Sequence, residues 1–392
     1  MQRVVIDQPY MFIPPRYSRL WHGLVRMILP RLLRKQYGIS RVECEGMEKL
    51  QASLRAGHGV VIAPNHCRPC DPMVLDTLSA AVRRPFHIIS SWHVFMTSRI
   101  QKFLLPRLGG FSIHREGMDR ESLKCAVRIV TGGKHPLVIF PEGIITRSND
   151  RLVHLMEGPA FVARNAAKQH PQGKVMIHPV FIRYFFEGDL EGSLIPVIEE
   201  IESRLSWRTQ SRMPVTERIA KLGDALLALK EIEYLQAPQS GTTEERIQRL
   251  IDHLLAPLET QWTAARHDGD TMSRVKRLRA AILPNLAGGN LTDDERSARW
   301  RQLSDLYLVQ QLHCYPGGYF ENPTPERLIE TVERFEEDLT DQARPHHPLR
   351  AVITVGDAIE VGTGREQTTE SITRELRQRL ASMLEETRRR II

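Results

Sequence analysis

Long apolar runs are missing from this sequence. The longest, PLVIF ending at Phe140 and VMIHPVFI ending at Ile182, fall far short of the roughly 20 residues a membrane-spanning helix needs, so no segment is expected to cross a bilayer. Cysteine is scarce and odd in number (Cys44, Cys67, Cys70, Cys125 and Cys314), a poor fit to a disulfide framework and a better one to a reducing, cytoplasmic-side compartment. The opening MQRVVIDQPYMFIPP lacks the charged stretch and apolar core of a secretory signal, and none is expected. The G-x-S-x-G elbow that presents a serine nucleophile is absent. RNP-like, helix-turn-helix and zinc-finger patterns are absent too, which argues against nucleic-acid binding. No internal repeat or low-complexity tract is evident.

What is present suits a folded protein. Hydrophobic residues make up 41% of the 392, enough for a sizeable core, and the length suits two domains or one large domain with an insertion. The net charge of +7 conceals a division. Residues 1–186 hold 27 basic and 12 acidic residues, whereas residues 187–350 hold 20 and 28. A basic half attracts polyanions, whether anionic lipid, nucleic acid or phosphorylated small molecules.

Between Asp7 and Glu43 there are seven Lys or Arg and no carboxylate. Tyr17, Leu20, Trp21, Leu24, Val25, Ile28 and Leu32 recur there at helical spacing, predicting an amphipathic helix kinked or restarted at Pro30. Its apolar stripe suits packing on a core or, with Trp21 beside many arginines, the headgroup region of an anionic membrane. From residue 41 short apolar runs alternate with helical stretches, predicting strands at 41–45, 59–64, 86–90, 136–140 and 174–184, and helices near 46–55, 72–82, 92–105, 119–131 and 156–169. After Phe186 successive polar helices are expected to about 342, and a strand pattern returns at 350–361 before a terminal helix. The expected fold class is α/β, a sheet flanked by helices, with an N-terminal amphipathic helix (1–40), an α/β domain (41–186 and 348–392) and a large, acidic, all-helical insertion (187–347). The insertion is expected to pack on itself; whether it has a further partner is left open.

The run VVIAPNHCRPCDPMVLDTL puts Asn65 and His66 at the end of a buried strand and Asp71 at the start of a helix. Five residues are enough for a loop that turns the carboxylate back onto the imidazole, making His66 a candidate general base near neutral pH. With no serine elbow, the base would deprotonate a hydroxyl of the substrate. Asp71 before Pro72 equally fits a helix N-cap. Arg115, in LGGFSIHREGMDRESL, and Glu142, Gly143, Arg147 and Arg151, in LVIFPEGIITRSNDRL, follow strand-like stretches, where α/β folds bind ligands, and arginine suits phosphate oxygens. Cys67 and Cys70 form a C-x2-C without a second ligand pair, so no metal is expected. His93 and His114 read as packed or solvated residues.

In this order and spacing the runs resemble the glycerolipid acyltransferase family, whose type member is 1-acylglycerol-3-phosphate acyltransferase. The matching pieces are Asn65, His66 and Asp71 of a His-x4-Asp motif, Gly110 to Arg115, Phe140 to Gly143, and Ile177 to Tyr184 with Pro179. The resemblance implies transfer of a fatty acyl group from a thioester, on coenzyme A or acyl carrier protein, to a hydroxyl of a lysophospholipid, with no cofactor and no acyl-enzyme. It implies His66 as the base oriented by Asp71, with Arg115, Glu142 and Gly143 holding the acceptor. With the basic half and the amphipathic N-terminal helix, the expectation is a peripheral position on the inner face of a membrane. The family commonly follows Phe-Pro-Glu-Gly at once with Thr-Arg-Ser, whereas here Ile144 and Ile145 precede Thr146, Arg147 and Ser148. Arg147 and the acceptor's identity are therefore left open, with glycerol 3-phosphate, a non-phosphorylated lysolipid, or a non-catalytic lipid-binding scaffold as alternatives.

Overall fold

Successive residues of a strand point to opposite faces of its sheet, and the run at 60–63 shows which layers that alternation must fill. Val61 and Ala63 join one buried cluster and Val60 and Ile62 another, so this strand is apolar on both sides because both faces of the sheet are covered. The structure is a computed structural model and describes residues 10–114, 119–171, 174–263, 269–284, 286, 291–315, 317–364 and 366–389. The described residues divide into two units, one within 11–114, 119–190 and 344–389, the other of residue 10 and those within 191–343.

The first unit is a mixed α/β structure. Its strands are β1 (Ile39–Glu45), β2 (Gly59–Pro64), β3 (His87–Ser91), β4 (Gly110–Ile113), β5 (Leu137–Val138), β6 (Val175–Phe186), β7 (Leu349–Val355) and β8 (Ile359–Val361). They form one sheet in the order β1-β7-β6-β2-β5-β3-β4, with β8 also on β6. The strands β6, β2, β5, β3 and β4 run parallel to their neighbours, while β7 and β8 join β6 antiparallel. The helices α1 (Arg19–Tyr37), α2 (Met47–Arg55) and α3 (Asp71–Ala81) supply buried residues to one face. The helices α6 (Arg120–Thr131), α7 (Gly158–Ala167) and α14 (Thr369–Arg389) supply them to the other. Between β3 and β4 the single helix expected over 92–105 is two, α4 (Trp92–Met96) and α5 (Arg99–Arg107). Ser98 interrupts them because its hydroxyl accepts the Gln101 N–H as an N-cap.

The helix α1 runs through Pro30 to Tyr37 and does not restart there. It buries Leu29 and Leu33 and is tied to α3 by Arg26 and His22, both of which reach the Asp76 carboxylate. Its other side leaves Leu20, Leu24, Met27 and Ile28 exposed, and Ile100 and Phe103 of α5 are exposed as well. Trp21 meets Phe103 edge-on with ring centroids 5.2 Å apart, so the two helices adjoin.

The second unit is helical: α8 (Leu190–Arg204), α9 (Val215–Leu235), α10 (Thr243–Thr263), α11 (Thr271–Ile282), α12 (Asp293–His313) and α13 (Pro325–Thr340). One core gathers leucines and isoleucines from α9 to α12. Here the expectation of no internal repeat is corrected. Arg218, Arg246 and Arg274 stand at equal intervals near the starts of α9, α10 and α11. Each makes a bidentate bond to a glutamate of the preceding helix, Glu202, Glu231 and Glu259 in turn. Asp224 and Asp252 repeat the pattern as second partners of Arg246 and Arg274. The identities shared by α9 and α10, Glu-Arg-Ile, a leucine, an aspartate, Leu-Leu-Ala and a glutamate, are spread thinly over each helix. Only the pairing they produce makes them conspicuous.

Candidate active site

The strands β2 and β5 are parallel neighbours, so the loops leaving their C-terminal ends lie side by side. This is where an open α/β sheet places ligands. The β2 loop carries Asn65, His66 and Asp71, and the β5 loop carries Phe140 to Asn149.

His66 Nδ1 lies 2.8 Å from Asp71 Oδ2. The carboxylate is fully buried and the imidazole largely so. Asp71 is the first residue of α3, with Cys70 at the cap position, and no side chain caps this helix. The N-cap alternative for Asp71 is thereby corrected: its Oδ2 turns back to accept the Arg68 N–H at 2.9 Å together with the imidazole, and this closes the His66–Asp71 loop. Phe140 stacks on the imidazole with centroids 4.0 Å apart and planes 26° from parallel. The His66 N–H donates to Glu142 Oε1 at 3.1 Å, and the His66 carbonyl accepts from both the Thr146 N–H and its hydroxyl. Main chain and ring are thus fixed from the β5 side.

Glu142 is buried, and its Oε2 has no hydrogen-bond partner among the described residues. Burial pushes this carboxyl up to about 8; the bond from the His66 N–H works the other way, and the nearby Asp71 charge adds to the rise. At neutral pH the group is largely a neutral acid, able to donate through the oxygen that protein leaves unused. Gly143, next in the chain, has φ 69°, a left-handed conformation that glycine adopts without strain. A Cβ there would overlap Met156 Sδ.

Asn65 spends its side-chain amide on the sheet. Beyond the last β2 pairing, its amide accepts the Ile182 N–H at 2.7 Å and donates to the Ile182 carbonyl at 3.0 Å. Asn149 repeats this at Tyr184, with 2.8 and 2.6 Å. Two side-chain amides therefore continue, along β6, the ladder that β2 leaves off. Arg147, half-buried with φ 49°, lies between Thr146 and Asn149 in the same loop. Arg115 lies outside the described residues, so the expectation placed on it has no structural counterpart. His114 leaves β4 with its N–H on Asp119 Oδ2, and His93 Nδ1 pairs with the Ser91 hydroxyl at 2.7 Å. Cys67 and Cys70 are buried and form no disulfide, and among the described residues no group of three or more His, Cys, Asp or Glu is arranged to hold a metal ion.

The structure thus brings Asn65, His66, Asp71, Glu142 and Gly143 together. Sequence reasoning missed Thr146 and Asn149, whose signal is a polar run, TRSND, that is buried at every position but Arg147 in place of being a surface turn. It also missed the individual part of Tyr184, whose hydroxyl donates to Asp71 Oδ1 at 2.5 Å. Residues 41–183 match the family model described as Acyltransferase. No curated protein matches the chain.

Proposed function

We propose, from the match of residues 41–183 to the acyltransferase family model and their resemblance to the glycerolipid acyltransferases, that the protein carries a fatty acyl group from a coenzyme A or carrier-protein thioester to the hydroxyl of a lysophospholipid. The acceptor proposed is 1-acylglycerol 3-phosphate, giving phosphatidic acid. The observation that carries the reading is His66, held through Nδ1 by the buried Asp71 carboxylate at a strand end. With Nδ1–H donated to Asp71, Nε2 is the basic nitrogen. It takes the proton of the acceptor hydroxyl as the oxygen attacks the thioester carbonyl. The tetrahedral intermediate then collapses, the carbon–sulfur bond breaks, and the imidazolium returns its proton to the leaving thiolate. A thioester is already activated, so no acyl-enzyme is required. The neutral Glu142 carboxyl would hydrogen-bond the acceptor through Oε2, and Arg147 and Arg115 would supply positive charge for its phosphate.

The acceptor would come from a membrane surface. The exposed Leu20, Leu24, Met27, Ile28, Ile100 and Phe103 of α1 and α5 are interspersed with Arg19, Arg31, Arg99 and Lys102. No carboxylate occurs in α1 or α5. That combination complements an anionic lipid surface, and it disfavours self-association, which would bring arginines face to face. We read the protein as a peripheral enzyme on the cytoplasmic face of a membrane, with the helices between β6 and β7 as an accessory domain inserted into the acyltransferase domain. The test is an acceptor panel with labelled acyl-coenzyme A and acyl carrier protein. Turnover is expected with 1-acylglycerol 3-phosphate above glycerol 3-phosphate and lysophosphatidylcholine. The reverse order would reassign the acceptor.

A further inference from the structure

The Asp71 carboxylate has a donor that the His-x4-Asp pair does not include. Its Oδ2 accepts from His66 Nδ1 and the Arg68 N–H, and these two bonds leave Oδ1 to another donor. The other oxygen, Oδ1, receives the Tyr184 hydroxyl at 2.5 Å. A bond this short to a charged acceptor, in a site closed to water, is of the strong kind.

Tyr184 is itself held from several directions. Its side chain is fully buried in the core beneath α1 to α3. Its backbone is bracketed by the Asn149 amide, its β7 rung partner is Ala351, and the Arg68 guanidinium lies 5.3 Å over its ring. Asn149 stands three residues from Thr146, which holds the His66 carbonyl. One loop therefore fixes both ends of the chain of bonds from Tyr184 through Asp71 to His66.

We propose that Tyr184 is a positioning residue for the His66–Asp71 pair, its phenol hydroxyl holding the carboxylate in the orientation that occupies Nδ1 of His66 and tempering the negative charge the imidazole faces. The groups around the carboxylate leave that task to the phenol. Burial, and behind it the Asp71 charge, pushes the Tyr184 hydroxyl well above its usual range, so it remains a donor. Burial likewise pushes the neighbouring Cys70 thiol up to about 12. Cys67 approaches Asp71 Oδ1 only at 4.0 Å, Glu142 bonds the His66 main chain, and the Arg68 guanidinium sits over the Tyr184 ring. Removing the phenol oxygen leaves a carboxylate with more charge and more freedom, and a more basic imidazole beside it.

The catalytic consequence rests on the acyl-transfer reading; the first test does not. In the full chain, the His66 imidazole is titrated by NMR in the wild type, in Tyr184→Phe, which keeps the ring in the core, and in Ile182→Val, a nearby core change that spares the hydroxyl. Tyr184→Phe is expected to raise the His66 pKa by roughly half a unit to one unit, with Ile182→Val unchanged. A His66 titration in folded Tyr184→Phe that matches the wild type overturns the proposal, as does an equal rise in Ile182→Val. In acyl transfer, Tyr184→Phe should lower kcat roughly tenfold with KM unchanged, and move the acid limb of kcat/KM upward with the imidazole. If the titration shifts while wild type turns over no thioester with any acceptor, the positioning role stands and the acyl-transfer reading fails.

Discussion

Glu142 and His66 are joined through a main-chain hydrogen bond, and their environments pull them towards different tasks. The imidazole keeps a carboxylate on one nitrogen, while the Glu142 carboxyl loses its water to burial and rises to about 8. The consequence for stability has a definite sign. A carboxyl whose folded pKa lies above its unfolded value favours the fold most below the unfolded pKa, about 4.3, and that contribution is lost as pH climbs to about 8. Glu142→Gln, neutral at every pH, should therefore gain stability relative to wild type between these limits and hold a constant difference above them. Urea denaturation across that pH range measures it; parallel pH profiles for the two proteins would contradict a raised Glu142. Gly143→Ala, which combines a strained φ with an overlap on Met156, should cost about 1–3 kcal/mol, read in the same experiment. His66, Asp71, Glu142 and Gly143 were legible because four motifs occur in the order and spacing of a known family, whereas the His66–Asp71 spacing alone fits a helix cap as well. Tyr184 was not, because a tyrosine at the end of an apolar strand reads as core until a neighbouring carboxylate is seen.

At the scale of elements, β2 and β6 show why the loops hold their shape. The strand β6 outruns β2, and the Asn65 and Asn149 amides serve the side of its rungs that β2 no longer covers. Asn65→Ala would leave the buried Ile182 N–H without its acceptor and the Ile182 carbonyl with only the weak Cys67 thiol donor at 3.8 Å, and should cost about 2–5 kcal/mol, measured by urea denaturation. A cost below 1 kcal/mol would mean that water reaches this edge. In the helical unit the bond between Glu202 and Arg218, both almost wholly buried, ties α8 to α9. Glu202→Gln strands the guanidinium and should cost about 3–5 kcal/mol, whereas Glu370→Gln, in an exposed pair with Arg374, should change stability by less than about 1 kcal/mol. Strands and helices could be read from the sequence wherever period-two or helical spacing was unbroken. The division of 92–105 at Ser98 could not, since a single capping hydroxyl decides it, and the continuity of α1 through Pro30 depends on packing that periodicity does not report.

For the whole molecule, the uneven charge along the sequence has a structural outlet in α1 and α5, where exposed apolar side chains stand among arginines. Sedimentation with vesicles should show binding to phosphatidylglycerol-containing bilayers, weaker binding as salt rises, and little binding to pure phosphatidylcholine. Met27→Ser combined with Ile100→Ser, both at exposed positions, should reduce binding several-fold while leaving the fold intact. Equal binding to neutral and anionic vesicles would contradict this assignment. The sequence announced the apolar stripe of α1 but not its pairing with α5, because Trp21 and Phe103 meet only through the fold.

The central claim is that His66 is the base in acyl transfer, and its most direct test is the single-turnover rate of labelled acyl-coenzyme A with 1-acylglycerol 3-phosphate in anionic mixed micelles, wild type against His66→Ala. Wild type should form phosphatidic acid, and the variant, folded and still bound to the micelle, should be slower by about 10²–10⁴-fold. A variant that transfers acyl groups at the wild-type rate would contradict the account.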